Sequence, residues 1–110
     1  MAGLETVGAR LESAVAALER ATDWMLAHKG PDALSGATPY LKLAGDVIGG
    51  WMLARQAMEV ADGSDDWSKS RAALARIYAG QVLTGASGLA DGVMDGGADL
   101  ERMGADALAG

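Results

Sequence analysis

Residues 37–57 read ATPYLKLAGDVIGGWMLARQA, and the glycines in this stretch decide how the chain is to be read. Most of its residues favour a helix, yet Gly45, Gly49 and Gly50 each cost one roughly 1 kcal/mol against alanine. A helix here therefore needs a compensating gain. Gly45 and Gly49 lie four apart and share one face, which Gly50 widens. Without Cβ atoms on that face, a neighbouring backbone approaches closely, and the tighter packing offsets the lost propensity. The same small-xxx-small spacing pairs helices inside membranes. In an acidic chain of 110 residues with no long apolar run, it reads instead as packing within the molecule.

The helix around these glycines is expected to run from about Pro39 to Ala61, with Thr38 as cap and proline in the first turn. Apolar residues wrap most of it. Leu41, Ala44, Ile48 and Trp51 form one stripe, and Tyr40, Leu43, Val47 and Ala54 another. Lys42 and Asp46 alone interrupt the first half, at the i,i+4 spacing that pairs them. A helix apolar on several sides is expected to be buried and central.

Upstream, Leu4, Leu11, Leu18 and Met25 recur every seven residues, with Val7, Ala14 and Ala21 between them and charged residues elsewhere. This is an amphipathic helix from about Gly3 to Lys29 with one narrow apolar seam. Gly30-Pro31 stops it, and GPDALSGA reads as a turn-rich linker. Downstream, ADGSDD separates the central helix from a third, with Ser64, Asp65 and Asp66 as candidate caps. That helix is expected from about Trp67 to Met94, carrying Trp67, Leu74, Ile77, Tyr78, Val82, Leu89 and Val93. Its Gly85, Gly88 and Gly92 form a small face expected to receive Trp51, Met52 or Met58. The remaining GGADLERMGADALAG holds either a short helix from Ala98 to Leu108 or a frayed tail. The fold class is thus all-α: an antiparallel bundle of three long helices, with room for a short fourth at the C-terminal end.

Composition agrees. Half of the residues are apolar and 22% are charged, as in a globular chain. Alanine dominates and phenylalanine is absent, which suits close-packed helices rather than a sheet. The net charge of −6 disfavours nucleic acid as a partner. Without cysteine there are no disulfides, thiolate metal sites or cysteine nucleophiles, and the composition fits a reducing cytoplasm, the expected compartment. No membrane span is visible, and MAGLETVGAR lacks the pattern of a secretory signal.

Candidates for chemistry are few. His28, the sole histidine, excludes a triad or a multi-histidine metal site and is expected to face solvent at a helix end. Asp91, Asp95 and Asp99 share a face if the third helix extends that far. The row has the oxygen chemistry of a divalent-cation site, but a solvated acidic face is the simpler expectation. Arg55, Arg71 and Arg76 have the chemistry to bind an anion, yet surface pairing is expected, as for Arg55 with Glu59 one turn on. Neither a GxGxxG nor a Walker A pattern occurs. The three tryptophans and two tyrosines are spaced as core or interface anchors. Catalytic, cofactor-binding and metal residues are accordingly assigned as none in this chain.

Two stretches carry a resemblance. GATPYLKLAGDVIGGWMLARQA (36–57) and ALARIYAGQVLTGASGLADGVMDGGADL (73–100) are similar to the extra C-terminal domain of one branch of the acyl-CoA dehydrogenases, which acts on long-chain and methylthio-substituted acyl-CoA thioesters. The shared pattern is an ATPYL head, a G-x-V-x-GGW centre, an AR-x-A exit and an A-R-x-YA run closing with GLA. It covers about Leu4 to Leu100, the first helix matching in character only. Departures are Gly36 for asparagine, Ala44 for a bulky aromatic and Thr84 for proline.

The resemblance implies a parent oxidoreductase that uses FAD to oxidise an acyl-CoA between Cα and Cβ, as in fatty-acid metabolism. The base and most of the flavin site belong to the upstream core, so no catalytic residue carries over. The chain is expected to be a single domain over residues 1–110, excised from that parent, with Met1 an added start. Its expected partner is the dehydrogenase core, on which it packs and without which it is inactive. The alternative is an independent helical adaptor or homo-oligomerisation module without catalysis. An excised domain should expose a patch that once faced its parent, whereas a module should cover its own apolar surface.

Overall fold

In the computed structural model, which describes residues 4–28 and 31–95, every element is helical. Helix α1 spans Leu4–Ala27, α2 Pro31–Glu59, α3 Asp66–Gln81 and α4 Ala86–Met94, with a 3-10 turn at Leu83–Gly85 between the last two. Helices α1 and α2 are antiparallel neighbours. The α3–α4 arm returns along both, α3 beside the second half of α2 and α4 beside its first half. The expected three-segment all-α bundle is the observed one. The short fourth helix expected over 98–108 lies outside the described residues.

Helix α1 buries its expected seam, but alanine forms the centre of it. Val7, Ala14, Ala17 and Ala21 are buried, while Leu4, Leu11, Leu18 and Met25 pack around them, half-buried. Helix α2 starts eight residues earlier than expected. The expected linker is helical from Pro31 on: Pro31 occupies the first turn and Pro39 lies inside the helix. An interior proline removes a hydrogen bond and ordinarily kinks a helix. Here the segment is drawn into the bundle, because Gly36 is buried against the backbone of Val93 and Pro39 faces Gly92 of α4. Tyr40 ties the same end to α1: its phenol lies 2.8 Å from Thr22 Oγ1, which already donates to the Leu18 carbonyl, so Tyr40 is the donor.

The expected single helix from Trp67 to Met94 is bent instead. Thr84 Oγ1 donates back to the Gly80 carbonyl at 2.7 Å, and the Gly85 N–H bonds three residues back to Val82. Side-chain bonding of this kind competes with the helical ladder and bends it. The bend brings Leu83, 3% exposed, under Gly50 and lets α4 follow α2 to Gly36.

Asp65 is the cap of α3 among the candidates: it is extended, and Ser68 N–H donates to its Oδ1 at 3.1 Å. Hydrogen bonds from the Ser68 side chain and then its backbone N–H hold this carboxyl below the ordinary 3.8. Because the folded value is the lower one, the cap's contribution is present above 3.8 and is lost as pH falls through the depressed folded value. The melting temperature is therefore expected to fall more steeply below that pH in the wild type than in Asp65→Asn, whose amide oxygen caps without titrating. Equal slopes in acid thermal melts would refute this role.

Candidate docking face

Nine of the fourteen buried apolar residues described are alanines: Ala14, Ala17, Ala21, Ala57, Ala72, Ala75, Ala79, Ala86 and Ala90. On the α3–α4 arm, Ser68, Ala72, Ala75, Ala79, Leu83, Ala86, Ala90 and Val93 recur at spacings of three and four and face inward. Small residues let helix axes approach toward the close end of the usual 8–10 Å. Several of the large apolar residues lie outside.

On α2 the two apolar stripes separate. Leu43 and Val47 turn inward, with Tyr40 and Ala54 half-buried beside them. Leu41, Ile48 and Met52 form an outward file, Leu41 being 71% and Met52 61% exposed, with Trp51 and Met58 alongside. On α3, Trp67 is 56% exposed, and Leu74 and Ile77 lie on the same outer side. Tyr78 fixes the register of the pair: it packs on Gly49 and donates to the Asp46 carbonyl at 2.8 Å. Large apolar side chains are thus exposed on the outer sides of both α2 and α3, and on α2 a groove is lined by Trp51, Met52, Leu53, Arg55, Gln56 and Glu59. Burial, then the nearby Asp46 carboxylate, pushes the Tyr78 phenol above its usual value, so it remains a donor at neutral pH.

Three expectations are corrected here. Helix α2 is not enclosed on all sides. Its Trp51, Met52 and Met58 are exposed, not received by glycines of the third segment: a Cβ at Gly85 or Gly88 would have nothing within 4 Å, and Gly92 faces Pro39. Gly45 also opens on empty space, whereas Gly49 and Gly50 meet Tyr78 and Leu83. The inward face was readable from the alanine row at 72, 75, 79, 86 and 90, a stronger periodic signal than the larger residues between them.

The remaining candidates stay apart. His28 is exposed at the end of α1, its ring stacked on Trp24 with centroids 4.3 Å apart and its Nδ1–H donating to the Trp24 carbonyl. Asp91 is exposed and 4.0 Å from Arg20, Asp95 is exposed, and Asp99 lies outside the described residues. Among the described residues, no three His, Cys, Asp or Glu side chains gather as metal ligands. Lys42 pairs with Asp46 at 3.1 Å and Arg55 with Glu59 at 3.8 Å, as their spacing predicts. Arg71 and Arg76 depart from the expected pairing: neither meets a carboxylate among the described residues. No described helix is long and apolar enough to cross a membrane.

The family model described as "Acetyl-CoA dehydrogenase C-terminal like" matches residues 1–104. A 3-methylmercaptopropionyl-CoA dehydrogenase of Ruegeria pomeroyi is 34% identical over 107 residues, covering 90% of this chain and 18% of that protein. The chain thus spans less than a fifth of the length of this curated relative. No solved structure matches it.

Proposed function

The chain belongs to the acetyl-CoA dehydrogenase C-terminal-like family, and from that premise we propose that it is an accessory domain seated on the catalytic core of an FAD-dependent acyl-CoA dehydrogenase. Alone it is inactive, and its work is done in the cytoplasm as part of that larger polypeptide. The observation that carries this reading is the inside-out distribution of apolar side chains. A self-sufficient bundle is expected to bury Leu41, Ile48, Met52 and Trp67, which here are more than half exposed while alanines fill much of the core. Contiguous exposed apolar surface marks a site where another surface docks. The length of the relative, a dehydrogenase of which this chain matches 18%, supports a core domain as what covers it.

In the parent, FAD supplies the hydride acceptor for oxidation of the acyl thioester. The described residues do not fit a flavin. Gly36, Gly45, Gly49, Gly50, Gly80, Gly88 and Gly92 all lie inside helices, whose N–H groups serve the helical ladder and not a phosphate cradle. No step of the oxidation is therefore assigned to this chain, whose contribution is to hold and cover the core.

Ile48→Asp tests the docking. The side chain is exposed, so helicity and melting temperature are expected to stay close to wild type. Affinity for the separately produced dehydrogenase core, by calorimetry, is expected to drop at least about tenfold as a charge is desolvated against apolar surface. A wild-type chain that ignores the core, or that sediments as a defined dimer through this face, would leave the self-sufficient adaptor as the better account.

A further inference from the structure

Both exposed tryptophans of the docking face carry a guanidinium. Arg55 lies 4.9 Å over the Trp51 ring and Arg71 4.3 Å over Trp67. The two differ in what else they meet. Arg55 has Glu59 at 3.8 Å, both side chains well exposed. Arg71 meets no carboxylate among the described residues, and its Nε is shielded from solvent without a hydrogen-bond partner. A shielded, unpaired donor on a cation is rare in a folded protein and calls for a cause.

The chain carries a net charge of −6, yet α3 holds Lys69, Arg71 and Arg76 against Asp66 alone. Exposed carboxylates lie on α1, at Glu5, Glu12, Glu19 and Asp23, on α4 at Asp91, and about the α2–α3 turn at Glu59, Asp62, Asp65 and Asp66. Of these cations Arg76 turns toward α1, lining a pocket with Thr6, Val7 and Arg10, and Arg71 is the one held over the exposed Trp67. Stacking on tryptophan fixes the guanidinium plane in advance, so less freedom is lost when its fork meets a planar carboxylate. Arginine and tryptophan are also among the residues that dominate association energies.

We infer that the α2–α3 face receives an apolar protein surface bearing a carboxylate, and that Arg71, held flat on Trp67, is the anchor that pairs with that partner Asp or Glu. The inference rests on the docking reading above and specifies the chemistry of the surface docked. The occupant is the dehydrogenase core rather than a second copy, because this chain matches only 18% of its dehydrogenase relative, whose remaining length supplies such a surface.

Calorimetric titration of the 110-residue chain into the dehydrogenase core tests it, with Arg71→Glu and Arg71→Lys beside Ile48→Asp. Arg71→Glu is expected to weaken binding at least about thirtyfold. Arg71→Lys should weaken it by less, because an ammonium keeps the charge but loses the fork. Raising salt should weaken the wild type and Arg71→Lys in parallel, since both keep the charge, and Arg71→Glu should lose that dependence. Thermal melts of the free variants separate a lost interaction from a lost fold, and if Arg71→Glu does not fold, Arg71→Lys and the salt dependence decide. Wild-type affinity in both Arg71 variants, with binding lost in Ile48→Asp, would overturn the carboxylate anchor and leave docking standing. A wild-type chain that does not bind the core, or that pairs with itself through this face, would overturn both. Binding of inorganic phosphate at Arg71 that survives saturation with the core would also overturn the anchor, since the guanidinium would then serve a small anion.

Discussion

Leu43→Ala is expected to lower the unfolding free energy by about 3 kcal/mol, within the roughly 2–5 kcal/mol that buried leucine truncations cost. Leu43 is fully buried, and with Val93 it is the largest side chain in that state. Most of the other buried residues in its cluster are alanines, which have no longer rotamers with which to refill a gap. The cavity left by truncation therefore persists, and the cavity cost adds to the lost transfer energy. A core made largely of methyl groups also concentrates its apolar burial in the few larger residues it contains. For a domain near this size, such a loss lowers the melting temperature by on the order of 10–20 °C. Thermal and urea denaturation of the two chains measure it. A change below about 1 kcal/mol would mean that the helices close over the gap, and that the alanine interior is less rigid than its packing implies.

Gly36→Ala is the second large effect, and its sign separates two kinds of glycine in α2. A Cβ at Gly36 would lie 2.6 Å from the Val93 carbonyl oxygen and 3.2 Å from its Cγ1. The oxygen belongs to the backbone of α4 and Val93 is fully buried, so neither group swings aside. The helices must separate, at a cost of about 1–3 kcal/mol. Gly49→Leu costs a similar amount by a different route: the new Cβ falls 2.7 Å from the Tyr78 hydroxyl, and the displaced phenol gives up its bond to the Asp46 carbonyl. Gly45→Ala should do the opposite. Nothing lies within 4 Å of its Cβ, so the substitution recovers up to about 1 kcal/mol of helix propensity. Urea midpoints at constant slope order the variants. If Gly36→Ala and Gly45→Ala shift in the same direction, close helix approach is not what these glycines serve.

The contrast between Gly45 and Gly49 also marks how far the candidate site was legible. Spacing alone sets the two on one side of a helix, and both look equally available for packing. The neighbour that distinguishes them is Tyr78, thirty-two residues beyond Asp46 along the chain, and its position depends on the α2–α3 register. Trp51, Met52 and Trp67 pose the same problem at larger scale. Their size predicts burial, and their place in the bundle exposes them.

From its own pattern the sequence determined that the chain is all helical, where α1 ends, that Asp65 stands among the caps of α3, that Lys42 pairs with Asp46, and which motifs tie it to its family. Each of these depends on residues within about one helical turn of each other, or on a linear string. Tertiary structure alone decided that Pro39 stays inside α2, that the third segment bends at Thr84, and which of two apolar faces of α2 turns inward. A helix apolar on both sides has no internal preference between them. The choice falls to the neighbour that fits more closely, and alanine rows on α1 and the α3–α4 arm admit Leu43 and Val47 at short range, leaving Leu41, Ile48 and Met52 outside.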